Sequence, residues 1–306
     1  MKNYDLIIIG GGPAGLTAGM YGARSALKTL IIERAMPGGQ AATTYEIANY
    51  PGFPGGVSGT DLAMKMYEQA QEHGAEFISG EITKINLEDK VKRIVVDGTA
   101  YQAKTVILAT GVEPRKLGVD GEDKFRGRGV SYCATCDGAF FRGKKVIVVG
   151  GGDAAVEEAI YLTRFASNVT IIHRRDQLRA HKAAQDKAFA NPKIDFIWNS
   201  VVEEIIGEDS VVGVKLKNRE TSKVSDLACD GIFVYIGQNP VTELFPASLN
   251  LSPDGYVITD EYLRTNIPGV FAAGDVRKTV LRQLVTAVAD GAVAAVSALK
   301  YLEEQE

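Results

Sequence analysis

Two of the chain's three cysteines, Cys133 and Cys136, stand two residues apart in the stretch CATCDG. Such a pair can be half of a zinc site or a dithiol that cycles with its disulfide. A structural zinc site needs four ligands. Cys229 is isolated, and His73, His173 and His181 show no ligand spacing, so no metal is expected. The pair reads instead as a redox couple, whose thiolate attacks a disulfide through a mixed-disulfide intermediate. Asp137, directly after Cys136, is placed to hand a proton to a departing thiolate, although Asp-Gly is equally a frequent turn pair.

A dithiol needs an electron source, and the sequence around it carries nucleotide-binding signatures. Residues 4–35, YDLIIIGGGPAGLTAGMYGARSALKTLIIERA, align without a gap with residues 144–175, KKVIVVGGGDAAVEEAIYLTRFASNVTIIHRR. Each copy has an apolar strand, a glycine turn, an alanine-rich helical stretch and a second strand. That is the β-α-β unit of a dinucleotide-binding fold, opened by G-x-G-x-x-G/A at Gly10, Gly12 and Gly15, then at Gly150, Gly152 and Ala155. The first glycine makes the tight turn, the second lets backbone approach a pyrophosphate, and the third position must be small for the helix to pack on the strand. The helix N-terminus then offers unpaired N–H groups to the phosphates.

The ends of the second strands distinguish the two nucleotides. Glu33 lies 23 residues after Gly10, where a carboxylate accepts hydrogen bonds from an adenosine ribose and repels a 2′-phosphate. At the same offset the second copy has His173, followed by Arg174 and Arg175, and guanidinium groups suit a charged phosphate. The first unit therefore suits FAD or NAD, and the second NADPH.

These units need further strands beside them. VILATG (106–111) and GVFAAGD (269–275) read as buried strands completing the first unit, with Asp275 at a strand's C-terminal edge, and GIFVYIG (231–237) is the matching strand of the second. VEPRK (112–116) and QNPVTE (238–243) look like crossovers. The expected fold is α/β, with two Rossmann-like dinucleotide-binding domains, one inserted in the other: 1–113 and 242–306 flank an inserted 114–241. Residues 60–73 and 283–302 read as packing helices.

Composition agrees with a globular enzyme. The 306 residues are 45% hydrophobic and 24% charged, enough for two cores and unlike a disordered chain. A net charge of −4 gives no footprint for nucleic acid. No run approaching the ~18 apolar residues of a membrane span is expected, nor a signal peptide, since the chain goes straight into a strand. Three cysteines argue against a disulfide framework and fit a reducing cytoplasm.

Over essentially the whole chain the sequence resembles the low-molecular-weight, bacterial-type thioredoxin reductases, of the class II pyridine nucleotide-disulfide oxidoreductases. The matching motifs are GGGPAG, GGQ (38–40), NYPGFP (49–54), ILATG, CATCDG, GGGDAAVEEA, HRRDQLRA, GVFAAGD and LRQLVTAVADGAVAA (281–295). CATCDG and HRR are the specific ones. The resemblance implies FAD contacts at Gly10, Gly12, Pro13, Ala14, Gly15, Glu33, Arg34, Gly39, Gln40, Asn49, Ala109, Thr110, Gly111, Gly274, Asp275, Arg282, Gln283 and Leu284. It implies NADPH contacts at Gly150, Gly152, Asp153, Ala154, Ala155, His173, Arg174, Arg175, Arg179 and Gly237, with Cys133, Cys136 and Asp137 catalytic. The chain departs from the family's frequent residues at Tyr132, Ala139, Asp153 and Ala154.

The implied activity carries electrons from NADPH through FAD and the Cys133–Cys136 disulfide to thioredoxin, in a homodimer. The CxxC and the NADPH site share the insert, so the insert should rotate on its crossovers to serve one flavin in turn. Three rivals differ. A related reductase fed by ferredoxin has no need of Arg174 and Arg175, and a thioredoxin-reductase-like ferredoxin–NADP oxidoreductase should lack CxxC. A redox-sensing flavin module would bind FAD without turning over.

Overall fold

The computed structural model describes residues 2–44, 47 and 49–305, with backbone alone for Thr135 and Cys136. The chain divides into two units, Met1–Glu113 with Asn239–Glu306, and Pro114–Gln238.

The first unit begins with β1 (Lys2–Ile9), α1 (Pro13–Arg24) and β2 (Thr29–Glu33). Unbroken Leu/Ile runs form β1 and β2 because a parallel sheet is covered on both faces. After the short α2 (Gly39–Ala42) comes α3 (Gly59–Glu72), capped by Ser58, whose Oγ accepts the N–H of Asp61 at 3.3 Å. Next, β3 (Glu76–Ser79) extends the sheet beside β2. A meander of β4 (Ile82–Asn86), β5 (Lys92–Val96) and β6 (Thr99–Leu108) then brings β6 parallel to β1. Successive residues of the central strands feed opposite faces. Ile7, Ile9, Val106 and Leu108 pack into one cluster, and Leu6, Ile8 and Ile107 into the other. Each such buried side chain contributes about 1.5–3 kcal/mol.

The chain leaves along β7 (Val112–Pro114). The second unit contains β8 (Val130–Ser131), α4 (Ala134–Asp137), β9 (Lys145–Gly150), α5 (Asp153–Leu162), β10 (Asn168–Ile172), α6 (Lys182–Phe189) and β11 (Ile194–Ile197). An antiparallel sheet follows, of β12 (Ser200–Gly207), β13 (Val211–Asn218) and β14 (Val224–Ala228). The next strand, β15 (Gly231–Tyr235), completes a parallel sheet of order β11-β10-β9-β15-β8. The return strand β16 (Gln238–Pro240) pairs with β7, so the two crossovers run together as a ribbon.

Back in the first unit, β17 (Val270–Ala272) pairs with the second half of β6, and α7 (Leu284–Glu303) ends the chain. The sequence reading expected no membrane-length apolar run. This 20-residue helix, with mean hydropathy 1.4, is long and apolar enough to cross one by length and composition. Its small apolar residues are explained by packing on α1. A Cβ at Gly291 would lie 2.2 Å from the Ala14 carbonyl oxygen, and Ala287, Ala294, Ala295 and Ala298 are buried against the same core.

Candidate active site

In the first unit, the predicted flavin residues gather where β1, β6 and β17 end. Gly10 has φ +108°, and a Cβ there would lie 2.3 Å from the Ala109 carbonyl oxygen. At Gly15 a Cβ would lie 1.8 Å from the Gly10 oxygen. Both positions therefore admit only glycine, for reasons of close approach. Pro13 opens α1 and no side chain caps the helix, which leaves N–H groups of the first turn for an anion. The Glu33 carboxylate is held by the N–H groups of Gly11 (2.7 Å) and Ala35 (3.0 Å). Arg34 pairs with Glu113 in the open.

More distant segments close around this turn. The loop carrying Gly39 and Gln40 returns to it: the Gly38 N–H donates to the Gly11 oxygen at 2.7 Å, and Gln40 Nε2 donates to the Val112 oxygen at 3.5 Å. Asn49 Nδ2 donates to Gln283 Oε1 at 2.8 Å, joining two predicted flavin residues 234 positions apart. Thr110 Oγ1 donates to the Val241 oxygen (2.7 Å), and Gly111 turns at φ +69°. Gly274 turns at φ +76°, followed by Asp275, whose carboxyl is pushed up by burial against the opposing pull of Arg282. The Arg282 guanidinium lies 3.9 Å from the Tyr256 ring centroid, and its buried Nε has no partner among the described residues. Gln283 caps α7 and Leu284 is its first residue. The glycine turn, the aimed carboxylate and an orphaned guanidinium N–H fit a dinucleotide with hydroxyl and carbonyl acceptors.

The second unit repeats the device. Gly150 has φ +153°, where a Cβ would lie 2.3 Å from the Tyr235 oxygen, and α5 starts at Asp153 and Ala154 with no side-chain cap. Ala155 takes the place of the third glycine and is buried. Arg174, Arg175 and Arg179 are exposed, without ion-pair partners among the described residues. The Arg179 N–H donates to the Gly151 oxygen at 2.6 Å, folding the arginine loop onto the glycine turn. Gly237, at φ +123°, ends the strand after Tyr235. These cations fit a nucleotide phosphate. His173 differs from its neighbours. It is buried, with its ring where a Cβ of Gly151 would need to be, and burial then the three arginines lower its pKa. It supports the turn from within. The sequence reading weighed His181 only as a zinc ligand. Its N–H and Nδ1 hold Asp153 Oδ1 at 2.7 and 2.6 Å, and these bonds hold the Asp153 carboxyl below its usual range.

Cys133 is disulfide-bonded and directly precedes α4, while the side chain of Cys136 lies outside the described residues. Cys229 is a buried free thiol, pushed up to about 12 by burial, and is therefore inert. Asp137 closes α4, its N–H donating to the Cys133 oxygen at 3.1 Å. Around Cys133 lie groups that spacing alone could not reveal. The Tyr132 hydroxyl donates to Glu122 Oε1 at 2.7 Å, and Glu122, 2% exposed, also accepts the N–H groups of Leu117 (2.8 Å) and Gly118 (2.7 Å). The Ala134 N–H donates to the Tyr235 hydroxyl oxygen at 2.6 Å. Glu158 presents a buried oxygen with no partner among the described residues, and burial with neighbouring Glu157 pushes its carboxyl up to about 7.

Two dinucleotide folds, one carrying a disulfide-bonded cysteine at a helix start, define a nucleotide-dependent disulfide oxidoreductase. The family model described as pyridine nucleotide-disulphide oxidoreductase matches residues 4–291. The thioredoxin reductase of Listeria monocytogenes is 52% identical over 305 residues, 99% of this chain and 95% of that protein. That of Bacillus subtilis is 50% identical, covering 99% and 96%. The crystal structure of Lactococcus lactis thioredoxin reductase (FR conformation) superposes with a TM-score of 0.90 at 50% identity, covering 98% of this chain and 99% of that one. The chain belongs to the pyridine nucleotide-disulphide oxidoreductases and, within them, to the bacterial-type thioredoxin reductases.

Proposed function

We propose that the chain is an NADPH-dependent thioredoxin-disulfide reductase with FAD as its flavin. The observation that carries this reading is the distribution of groups: the carboxylate-bearing turn stands in one unit, the arginine-bearing turn and the disulfide-bonded Cys133 in the other. When bound, the two cofactors supply a hydride donor and a two-electron store.

The chain's own residues bind and orient. Glu33 engages the adenosine ribose of FAD, while Asp275, Arg282, Gln283 and Asn49 fix the remainder of that molecule. Arg174, Arg175 and Arg179 engage the 2′-phosphate of NADPH through charge-assisted hydrogen bonds. Cys133 and Cys136 carry the electrons out to the disulfide of thioredoxin by thiol–disulfide exchange, with Asp137 holding the exchanged proton. The insert swings on the paired crossovers 112–114 and 238–240, so that nucleotide and dithiol use one flavin in turn. The exposed row Val285, Val293 and Val296 of α7 supports association of two copies, which sedimentation would measure. A reducing cytoplasm is the compartment this chemistry suits.

Anaerobic titration of the yellow protein with NADPH, with and without oxidised thioredoxin, tests the reading. NADPH should bleach the flavin, fully only near two equivalents because flavin and disulfide each take two electrons, and oxidised thioredoxin should restore its absorbance. Bleaching without restoration would sink thioredoxin as the acceptor, and equal bleaching by NADH would sink the cofactor assignment.

A further inference from the structure

We propose that Arg219 is a fourth cation of the 2′-phosphate site, a specificity residue supplied by the antiparallel sheet of the second unit. This rests on the NADPH reading above. The arginine loop is held at both ends. At one, the Arg179 N–H donates to the Gly151 oxygen and the His181 N–H to Asp153 Oδ1. At the other, the turn from β11 into β12 runs beside the end of β10. There the Ser200 N–H donates to the His173 oxygen at 3.0 Å and the Asn199 N–H to the Arg175 oxygen at 3.2 Å. The Arg219 N–H donates in turn to the Asn199 oxygen at 2.6 Å, and Arg219 Nη1 to the Arg174 oxygen at 3.3 Å. The guanidinium therefore lies against the backbone that carries Arg174, 45 positions earlier in the chain.

The turn that ends β13 fixes Arg219 in that place. Asn218, in register with Ser200 of β12, accepts the N–H groups of Glu220 (3.0 Å) and Thr221 (2.9 Å) at Oδ1. The bond to the Arg174 oxygen engages only one of the several guanidinium donors. Arg219 is exposed and, like Arg174, Arg175 and Arg179, has no ion-pair partner among the described residues. The adjacent acids Asp176 and Glu220 are exposed and pair with none of these arginines. Like charges gathered at one loop and answered by no carboxylate repel one another until an anion arrives. A phosphate monoester spreads its negative charge over several acceptor oxygens and can engage guanidinium groups from two elements at once. NADPH brings such a group on its 2′ oxygen, where NADH has a hydroxyl.

The test is calorimetric binding of adenosine 2′,5′-bisphosphate and of 5′-AMP to the flavin-loaded enzyme, two probes that differ only in the 2′-phosphate. The wild type must bind the bisphosphate more tightly; equal binding of the two defeats the 2′-phosphate reading of this unit itself. In Arg219→Ala the preference for the bisphosphate should fall by about tenfold, the worth of one charge-assisted hydrogen bond, with the affinity for 5′-AMP unmoved. The KM for NADPH should rise in step while that for NADH does not. Arg219→Gln keeps an N–H for the Arg174 oxygen without the charge and should lose as much as Arg219→Ala. Arg219→Lys keeps the charge without the fork and should lose less. An unchanged preference in Arg219→Ala overturns the inference. So does a wild-type preference in Arg219→Gln, which would leave Arg219 as a fastening of the loop alone. If Arg219→Ala does not fold, the contrast between Arg219→Gln and Arg219→Lys decides.

Discussion

Asp290 grips Arg277 at two points, Nε to Oδ2 at 2.5 Å and Nη2 to Oδ1 at 2.8 Å, while the same Oδ2 accepts the N–H of Gly274 at 3.0 Å. One buried carboxylate thus ties α7 to the Gly274–Asp275 turn. Asp290→Ala would leave Arg277 unpaired and the Gly274 N–H without an acceptor. Stability should fall by about 3–5 kcal/mol, and FAD should dissociate more readily. Asp290→Asn combined with Arg277→Met keeps an acceptor and removes both charges, so it should recover most of the loss. Denaturant unfolding and the fluorescence of released flavin measure both.

Cys133→Ser and Cys136→Ser should each leave FAD bound and its reduction by NADPH intact while abolishing thioredoxin reduction, because only electron exit needs both sulfurs. Thioredoxin turnover at the wild-type rate in either variant would remove these residues from the path.

Arg174→Ala with Arg175→Ala should raise the KM for NADPH. Each lost charge-assisted hydrogen bond costs about 1.5–3 kcal/mol, roughly one to two orders of magnitude. NADH makes none of these contacts, so its kinetics should hardly change. Steady-state assays with both nucleotides decide this, and an equal loss for both would assign the arginines to structure.

Glu158 carries a pH dependence of definite sign. Its carboxyl is raised from 4.5 to about 7 by burial, then by Glu157. Between those values the folded protein keeps a proton that the unfolded chain has lost. Stability should therefore fall as pH rises from 4.5 to 7 and level off above, by about 3 kcal/mol in all. Glu158→Gln should flatten this slope and be the more stable form at pH 8, as denaturant midpoints across pH would reveal. Parallel curves for the two proteins would remove Glu158 as the source.

By itself the sequence determined the two β-α-β units, because strand hydrophobicity and glycine spacing are local properties written over about thirty residues. Gly10 and Gly150 were legible for the same reason: their turns exclude a Cβ wherever such a strand meets its helix. The apolar run of α7 was legible as a packing helix, but the burial that its alanines and Gly291 find against Ala14 and α1 appears only after folding. Tertiary structure alone decided which distant groups would meet. Asn49 reaches Gln283 across 234 positions and Tyr235 reaches Ala134 across 101, because strand order makes neighbours of their elements. His173 shows the same division: its place after the second strand was readable, but its burial over Gly151 was set by the packing of the turn. Hydrogen bonds of 2.6 and 2.8 Å between such distant residues need donor and acceptor placed by separate elements, and no spacing along one chain encodes that placement.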